Sequence, residues 1–422
     1  MRTIIGFDSW TQGAHHFERL VSDFERRGFK LILIHVGSWG HDPNRPLEEN
    51  IGKLLVRDIA YYDGLSFKEI LLQERPEAVL FFSMQAFAHR AFNRYCRALG
   101  VPTVHLYHGL VNVQSTALKR LNPVNWRNQF ALARTRFSTN ILRILPNYAR
   151  ALRETDASWN DWTWLVNDIR RKITGTSYSS KAAPDASTSA CCVFTNADIP
   201  HAVQRYGLTH ESVHAVGNPD LIAFGLENQL IGCCLLSTQE ARKDIIYIDT
   251  ALIEAGAVFD GAGDFADHLN TTNKIVMQQG FQLVVKLHPA HFRTGVPERL
   301  HRMGIELCEK EEFVSRLKTA TAAIVEPSSA SMIPALMGLP LLLAQYGKLA
   351  EQQYGTVLTS YPRARFLKDI ANVQALLAEE RLTISSEKIH NWTMENVGPL
   401  PVEDMPERVG EIVDELIRTC HS

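Results

Sequence analysis

The sequence predicts an α/β protein made of two Rossmann-like domains, and three observations carry that prediction. Short β-branched runs alternate with amphipathic stretches of helix length through most of the chain, the pattern of a parallel sheet with helical crossovers. The alternation runs once up to about residue 221 and again from about residue 244, with a connecting stretch between. Strand-like runs also end repeatedly in polar residues. Leu283-Val284-Val285 leads into Lys286-Leu287-His288-Pro289, and Ala322-Ala323-Ile324-Val325 into Glu326-Pro327-Ser328-Ser329. In an open α/β sheet the carboxyl ends of strands are where ligands bind.

Bulk properties narrow the function classes. A chain of 422 residues is long enough for two or three domains with sizeable cores. Hydrophobic residues at 45% and charged residues at 21% describe an ordinary globular protein. A net charge of −2 supplies no field for nucleic acid, which is not expected as a partner. Apolar runs such as Leu339–Ala344 are far shorter than the roughly 20 residues that span a bilayer. Met1–Gly6 leads directly into a strand pattern without a signal-peptide apolar region. The seven cysteines, Cys96, Cys191, Cys192, Cys233, Cys234, Cys308 and Cys420, have no C-x-x-C spacing. They are expected to be reduced, mostly buried and not metal-binding, in a cytoplasmic protein.

The first domain opens with a strand over Thr3–Phe7 and a helix over Ala14–Arg27, where Phe17, Leu20, Val21 and Phe24 recur at helical spacing. Gly28 stops that helix before a strand over Lys30–Val36, which completes a βαβ unit. Gly13 stands alone in the first turn, so the G-x-G-x-x-G dinucleotide fingerprint is absent and a Rossmann dehydrogenase is disfavoured. A helix over Leu65–Glu74, a strand over Ala78–Phe82, a helix over Gln85–Leu99 and a strand over Val101–Leu106 follow. His108-Gly109 then follows a strand end, either as a plain turn or as a lip of the domain's binding face.

Lys119–Arg153 carries Lys119, Arg120, Arg127, Arg134, Arg136, Arg143, Arg150 and Arg153 and no acidic residue. Arg136, Arg143 and Arg150 repeat every seven residues, on one helical face. Two readings stand side by side: a solvated helical insertion, or a surface for anionic lipid headgroups or an anionic acceptor. Pro146 is expected to break or kink the segment. Asp161–Ile173 continues as helix and Thr174–Ser189 reads as a flexible loop. Strands over Ala190–Thr195 and Ser212–Val216 flank a short helix, Ile199–Tyr206, with Asp198 as its cap.

The second domain begins with a strand over Asp244–Ile248 that ends in Asp249. A helix within Asp260–Gln279, the Lys286–Pro289 strand end and a helix around Pro297–Met303 come next. A strand over Ile305–Cys308, a helix over Lys310–Lys318, the Glu326–Ser329 element and a strand over Pro340–Leu343 follow. Helices over Leu367–Glu379 and Pro406–Arg418 close the chain. The expected domains are thus 1–221, with a basic insertion near 119–175, then 244–405, then a closing helix in 406–422.

His288 and the Ser328-Ser329 pair are expected to face one pocket from neighbouring strand ends. The serines would also open a helix, whose N–H groups and dipole favour an anion. An imidazole on one side with hydroxyls and a helix start on the other suits a phosphate. Lys286 and Arg293 either hold a donor carboxylate or phosphate or are surface charges. Asp249 is either a rim carboxylate or a catalytic one.

The order of these motifs resembles the GT-B glycosyltransferases that carry an HP and a following SS motif. The residues are His108-Gly109, then His214-Ala215-Val216-Gly217-Asn218-Pro219, then Lys286-Leu287-His288-Pro289, then Glu326-Pro327-Ser328-Ser329 through Ala335-Leu336-Met337-Gly338-Leu339-Pro340. Bacterial sialyltransferases, polysialyltransferases and Kdo transferases have this pair, and capsule and teichoic-acid transferases are similar. The resemblance implies two Rossmann-like domains facing a cleft and a donor phosphate bound by His288, Ser328 and Ser329, with Lys286 and Glu326 beside them. It implies a CMP-sugar donor, Kdo first and sialic acid next, and a glycan or lipid-linked glycan acceptor met by His108 and Asp8, with peripheral contact at the inner membrane. No Asp-x-Asp triplet is present, and no metal or other cofactor is expected. Asp249 would be the nucleophile of a retaining reaction or the base of an inverting one, with Asp8, Glu326 and His108 as rivals. A transferase using CDP-glycerol or a UDP-sugar, or a GT-B-like sugar-nucleotide epimerase, is the alternative.

Overall fold

A computed structural model describes residues 1–8, 13–39, 45–84, 86–107, 140–174, 182–226, 228–231, 243–251, 258–346, 349, 351–380 and 385–421. It divides into two compact units. The first holds the described residues up to 216 and those from 404 onward, and the second holds 217–403.

Among its described residues the first unit carries eight strands: β1 Arg2–Asp8, β2 Phe29–His35, β3 Glu48–Ile51, β4 Leu54–Asp58, β5 Ala78–Phe81, β6 Thr103–Leu106, β7 Ala190–Val193 and β8 Val213–Ala215. Their order is β3-β4-β2-β1-β5-β6-β7-β8, parallel except where β3 pairs antiparallel with β4. The order reverses at β1, which lies between β2 and β5. β5, β6 and β7 are buried at every position, and β5 and β7 are continuous apolar runs, as buried parallel strands tend to be.

Three differences from the sequence reading appear here. The helix expected over Ala14–Arg27 is two short helices, Ala14–Glu18 and Val21–Arg26, joined at Arg19-Leu20. The β3–β4 hairpin was not anticipated. β3 is a half-exposed polar edge strand, and β4 alternates buried and half-buried residues, a weaker signal than a buried run. Asp198 precedes the helix Ile199–Tyr206 as expected, but its carboxylate turns back to accept from Thr195 N–H and Oγ1–H, at 3.3 and 2.9 Å.

The helical segment after β6 is anchored by buried charge. A π-helical turn, Asn140–Ile144, runs into the helix Leu145–Glu154, with Pro146 in its first turn, where the missing N–H costs little. The helix Trp159–Thr174 follows. Arg90, buried in the helix Phe87–Ala98, donates to Asp185 Oδ1 at 2.6 Å, to Tyr148 Oη at 2.6 Å and to Asp168. Arg94 sits 3.2 Å from Asp161. Lys119–Arg136, the larger part of the basic stretch, lies outside the described residues, as do Cys233 and Cys234.

The closing helix, Met405–His421, packs on the first unit. Met405, Val409, Val413 and Ile417 join a buried cluster with Ile4, Phe17, Phe24 and Leu33. Burying such side chains stabilises by about 1.5–3 kcal/mol each. Gly410 lets the helix come close, since a Cβ there would lie 2.2 Å from Asp23 Oδ2 and 2.5 Å from Arg27 Nε. Arg27 closes the contact by donating to Asp414 at 2.7 Å.

Among its described residues the second unit has six parallel strands: β9 Asp244–Ile248, β10 Gln282–Lys286, β11 Glu306–Leu307, β12 Ala322–Val325, β13 Leu341–Ala344 and β14 Ala364–Leu367. Their order is β11-β10-β9-β12-β13-β14, with the reversal at β9. β14 corrects the reading of Leu367–Glu379 as one helix. Leu367 ends a strand paired with β13, and the helix starts at Val373. A further helix, Ser386–Asn396, was not anticipated.

Candidate functional site

Three adjacent strands, β10, β9 and β12, end at one rim of the second unit's sheet. β9 is the reversal strand, so the crevice beside it is where an open α/β sheet accepts a ligand. The first strand of such a sheet takes the central place, so β9 lies between β10 and β12. His288 and Ser328 therefore do not come from neighbouring strands, as their motifs suggested. They flank a third strand end, that of Asp249.

Asp249 continues β9 by donating its N–H to Lys286 O at 3.1 Å. Its carboxylate is buried. Oδ2 accepts the His288 N–H at 2.8 Å, and Oδ1 accepts the Ala251 N–H at 2.8 Å. Ala251 has φ +59°, a conformation costly for a residue with a Cβ, and the bond to Asp249 helps hold it. His291 places Nε2 at 3.2 Å from Oδ2. Among the described residues neither ring nitrogen of His291 has an aligned hydrogen-bond partner. The ring is buried and stacks on Phe265 at 5.3 Å. Asp249 thus fastens the start of the turn that carries His288.

His288 is exposed and caps the 3-10 turn Pro289–Arg293. Its Nδ1 accepts the Ala290 N–H at 3.2 Å. An imidazole that accepts at Nδ1 carries its proton on Nε2, so the ring presents an N–H donor. Arg293 closes the same turn.

Lys286 lies on the face of β10 opposite Val285, and only 8% of it is exposed. Its Nζ sits 5.2 Å from the Phe224 ring and 5.4 Å from the Phe313 ring. Lys310 reaches the same Phe224 ring at 5.6 Å. Among the described residues no carboxylate lies within ion-pair distance of Lys286. Burial lowers its pKa, the nearby Cys308 and Asp249 oppose that shift, and Lys310 adds to it. This is a buried cation held by two aromatic faces.

Glu326, fully buried at the end of β12, is a bracing group. Oε1 accepts from Tyr247 at 2.6 Å and from Tyr346 at 3.2 Å, and the two phenols also meet each other. Oε2 accepts from Thr250 N–H at 3.0 Å and Thr250 Oγ1–H at 2.9 Å. The Thr250 bonds tie the end of β9 to the end of β12 across the reversal point. Burial, and then the charge of Asp249, push the Glu326 carboxyl well above the usual range. Beside it His268 is pushed down to about 4 by burial.

Ser328 is half-buried, and its Oγ accepts the Ala330 N–H at 2.9 Å. Ser329 opens a 3-10 turn, Ser329–Ser331, before the five-residue helix Met332–Leu336. The longer helix expected from Ala330 is therefore a turn and a short helix. Ser331 locks the turn by donating to Glu326 O at 2.8 Å.

In the first unit Asp8 ends β1, again the reversal strand. It is buried, with His89 Nε2 at 3.4 Å from Oδ1. Gly13 passes so close that a Cβ would lie 2.8 Å from Asp8 Oδ2. His108 lies outside the described residues.

Sequence reasoning missed His291, Thr250, Tyr247, Tyr346, Phe224, Phe313 and His89. Only His291 had a legible signal, the i, i+3 spacing from His288 that suits a 3-10 turn.

No family model matches the chain, and no curated protein matches it. Solved structures do. The wall teichoic acid polymerase TagF, solved with CDPG, superposes with a TM-score of 0.50 at 10% identity, over 99% of this chain and 89% of that one. A UDP-N-acetylglucosamine 2-epimerase from Rickettsia bellii gives 0.49 at 13% identity, over 99% and 98%. CalG4, the calicheamicin glycosyltransferase, gives 0.49 at 12% identity, over 99% and 98%. At such identities the likeness is one of fold, and the fold is the α/β, two-sheet GT-B type, as in TagF.

Proposed function

We propose that the chain is a transferase that takes its group from a CDP- or UDP-linked donor and passes it to a glycan or lipid-linked glycan acceptor. The observation that carries this reading is the strand interposed between His288 and Ser328. Two strand spacings separate their backbones by about 9.6 Å. A diphosphate extends across such a gap, one phosphate toward each side, whereas a single phosphate reaches one side well and the other poorly. TagF, which has this fold along nearly its whole length, was solved with CDPG, and that supports a CDP-linked donor. The CMP-linked Kdo or sialic acid donor implied by the motif resemblance has one phosphate and fits this spacing less well.

In this reading the His288 Nε2–H donates to a phosphate oxygen, and the Ser328 hydroxyl donates to another. Lys286 supplies the counter-charge that the leaving phosphate needs. Glu326 braces the rim from below. Asp249 positions: each of its oxygens already accepts a backbone N–H, and a nucleophile must turn a lone pair toward the anomeric carbon. Asp8, held beside His89, is the acceptor-side carboxylate. An epimerase would use the same nucleotide pocket but no acceptor.

Titration calorimetry with CMP, CDP and UDP tests the donor class. CDP or UDP is expected to bind at least about tenfold more tightly than CMP. CMP binding more tightly than both diphosphates would overturn the reading. Turnover of a UDP-sugar without any acceptor would favour the epimerase.

A further inference from the structure

The second unit has a cavity at the rim of its sheet opposite the donor rim. It lies where β9, β10 and β11 begin, and the helices Ala262–Gln278 and Phe313–Leu317 complete its lining. Its volume is about 960 Å³, near the top of the roughly 300–1,000 Å³ that small-ligand sites occupy. The length of β9 separates it from the donor rim. Asp244 lines the cavity, and Asp249 stands at the other end of the strand, about 16 Å away.

One lining residue lacks what a buried polar group normally has. Asn273 is only 8% exposed, yet among the described residues its side chain makes no hydrogen bond. A carboxamide carries two donors and an acceptor, and a buried one left unpaired calls for an explanation. The cavity it lines is where those atoms can be met.

The polar groups around it are already set. Glu306 Oε2 accepts from Gln282 Nε2–H at 2.8 Å, and its Oε1 pairs with Arg316, which also has Asp244 at 3.8 Å. Lys243 is exposed, makes no ion pair among the described residues, and holds Nζ 4.0 Å from where a Cβ on Gly280 would stand. The charged lining is thus two cations, Lys243 and Arg316, and two carboxylates, Asp244 and Glu306. A phosphate would meet repulsion from the carboxylates as well as attraction, and a cation the reverse. Phe281, half-buried, and Met277, 59% exposed, add an apolar part.

We propose that this cavity binds a neutral glycan segment. Sugar hydroxyls both donate and accept, which suits a lining of amides, carboxylates and an ammonium with no net charge. The C–H face of a sugar ring covers Phe281 and Met277. The inference is independent of the donor assigned above, because the two rims lie at opposite ends of the same strands.

Methionine-methyl NMR on the full chain tests it, with Met277→Leu identifying the signal to follow. The probes are maltotriose, cellotriose and chitotriose, with inorganic phosphate as the anionic control. At least one trisaccharide is expected to shift the Met277 signal saturably, and phosphate to leave it in place. Asn273→Leu should weaken that binding by about tenfold, the loss of one hydrogen bond. Its Tm should hold or rise, because the amide it removes has no partner in the fold. Lys243→Ala, at an exposed position, should weaken binding as well. CDP titration of both variants should match wild type, and titration of the wild type reports on the donor assignment separately. Three results would overturn the proposal: no trisaccharide shifts the signal, phosphate shifts it as strongly, or both variants bind undiminished.

Discussion

Replacing Asp249 with Asn separates a positioning carboxylate from a reacting one. The substitution keeps size and shape but turns one of the two oxygens into an NH2 group. That group must face either the His288 N–H or the Ala251 N–H, each now bonded at 2.8 Å. One buried N–H then loses its partner, and the other loses a charged acceptor. Charge-assisted bonds of this kind contribute about 1.5–3 kcal/mol each. Keeping one neutral bond leaves a loss of about 2–5 kcal/mol, equivalent to a fall of roughly 4–20 °C in Tm for a unit of this size. The turn carrying His288 should loosen with it, so the affinity for CDP should fall together with the stability. Melting and CDP calorimetry on the same preparation check both. If Asp249→Asn melts and binds CDP like wild type yet turns over no donor, the carboxylate acts in the chemistry. A one-sugar mass increase on the wild type incubated with donor would then identify it as the nucleophile.

Other outcomes follow from the same site. His288→Ala should abolish most donor turnover with Tm unchanged, and near-wild-type activity would remove His288 from the phosphate site. Lys286→Met should weaken diphosphate binding by about tenfold to a hundredfold without loss of stability, because it removes a buried ammonium that has no described carboxylate within ion-pair distance; a large fall in Tm would contradict that account. The raised Glu326 carboxyl favours the protonated form in the fold, so its contribution is complete below the ordinary carboxylate range and is lost as pH rises toward its own pKa. Glu326→Gln should therefore flatten the stability–pH profile above pH ~5, and an unchanged slope would count against a protonated Glu326. His268, held down to about 4, acts at the other end: stability is complete above the ordinary histidine pKa of 6.5 and is lost as pH falls from there toward 4. His268→Phe should remove that loss, as urea melts across this window would show.

What the sequence revealed depended on how completely a segment is buried. β1, β2, β9, β10 and β12 were legible because their apolar runs are buried on both faces. β3 and β4 were missed because an edge hairpin needs only one face covered, and Glu48-Glu49-Asn50 reads as a loop. β14 was not read as a strand, and its Leu367 was counted into a helix, because Ala364-Arg365-Phe366-Leu367 takes its strand state from pairing with β13. At the site, the residue types at strand ends were legible, but their neighbours were not. Strand order is a tertiary property, and it alone puts Asp249 between His288 and Ser328. Burial is tertiary too, which is why Asp249 reads in sequence as an available carboxylate and in the fold as a clasp. The partners of Glu326 come from residues 247, 250 and 346, separations across which no local pattern reaches.

The helix Met405–His421 sets the order in which the units can be finished. Its apolar side belongs to the first unit's core, yet residues 217–403 of the second unit precede it along the chain. On the ribosome the second unit is complete before the first receives its last helix. Until then Ile4, Phe24 and Leu33 lack a cover that only the end of the chain supplies. A fragment ending near residue 216 would keep that apolar patch open and should aggregate. Supplying the 404–421 peptide in trans should restore its solubility.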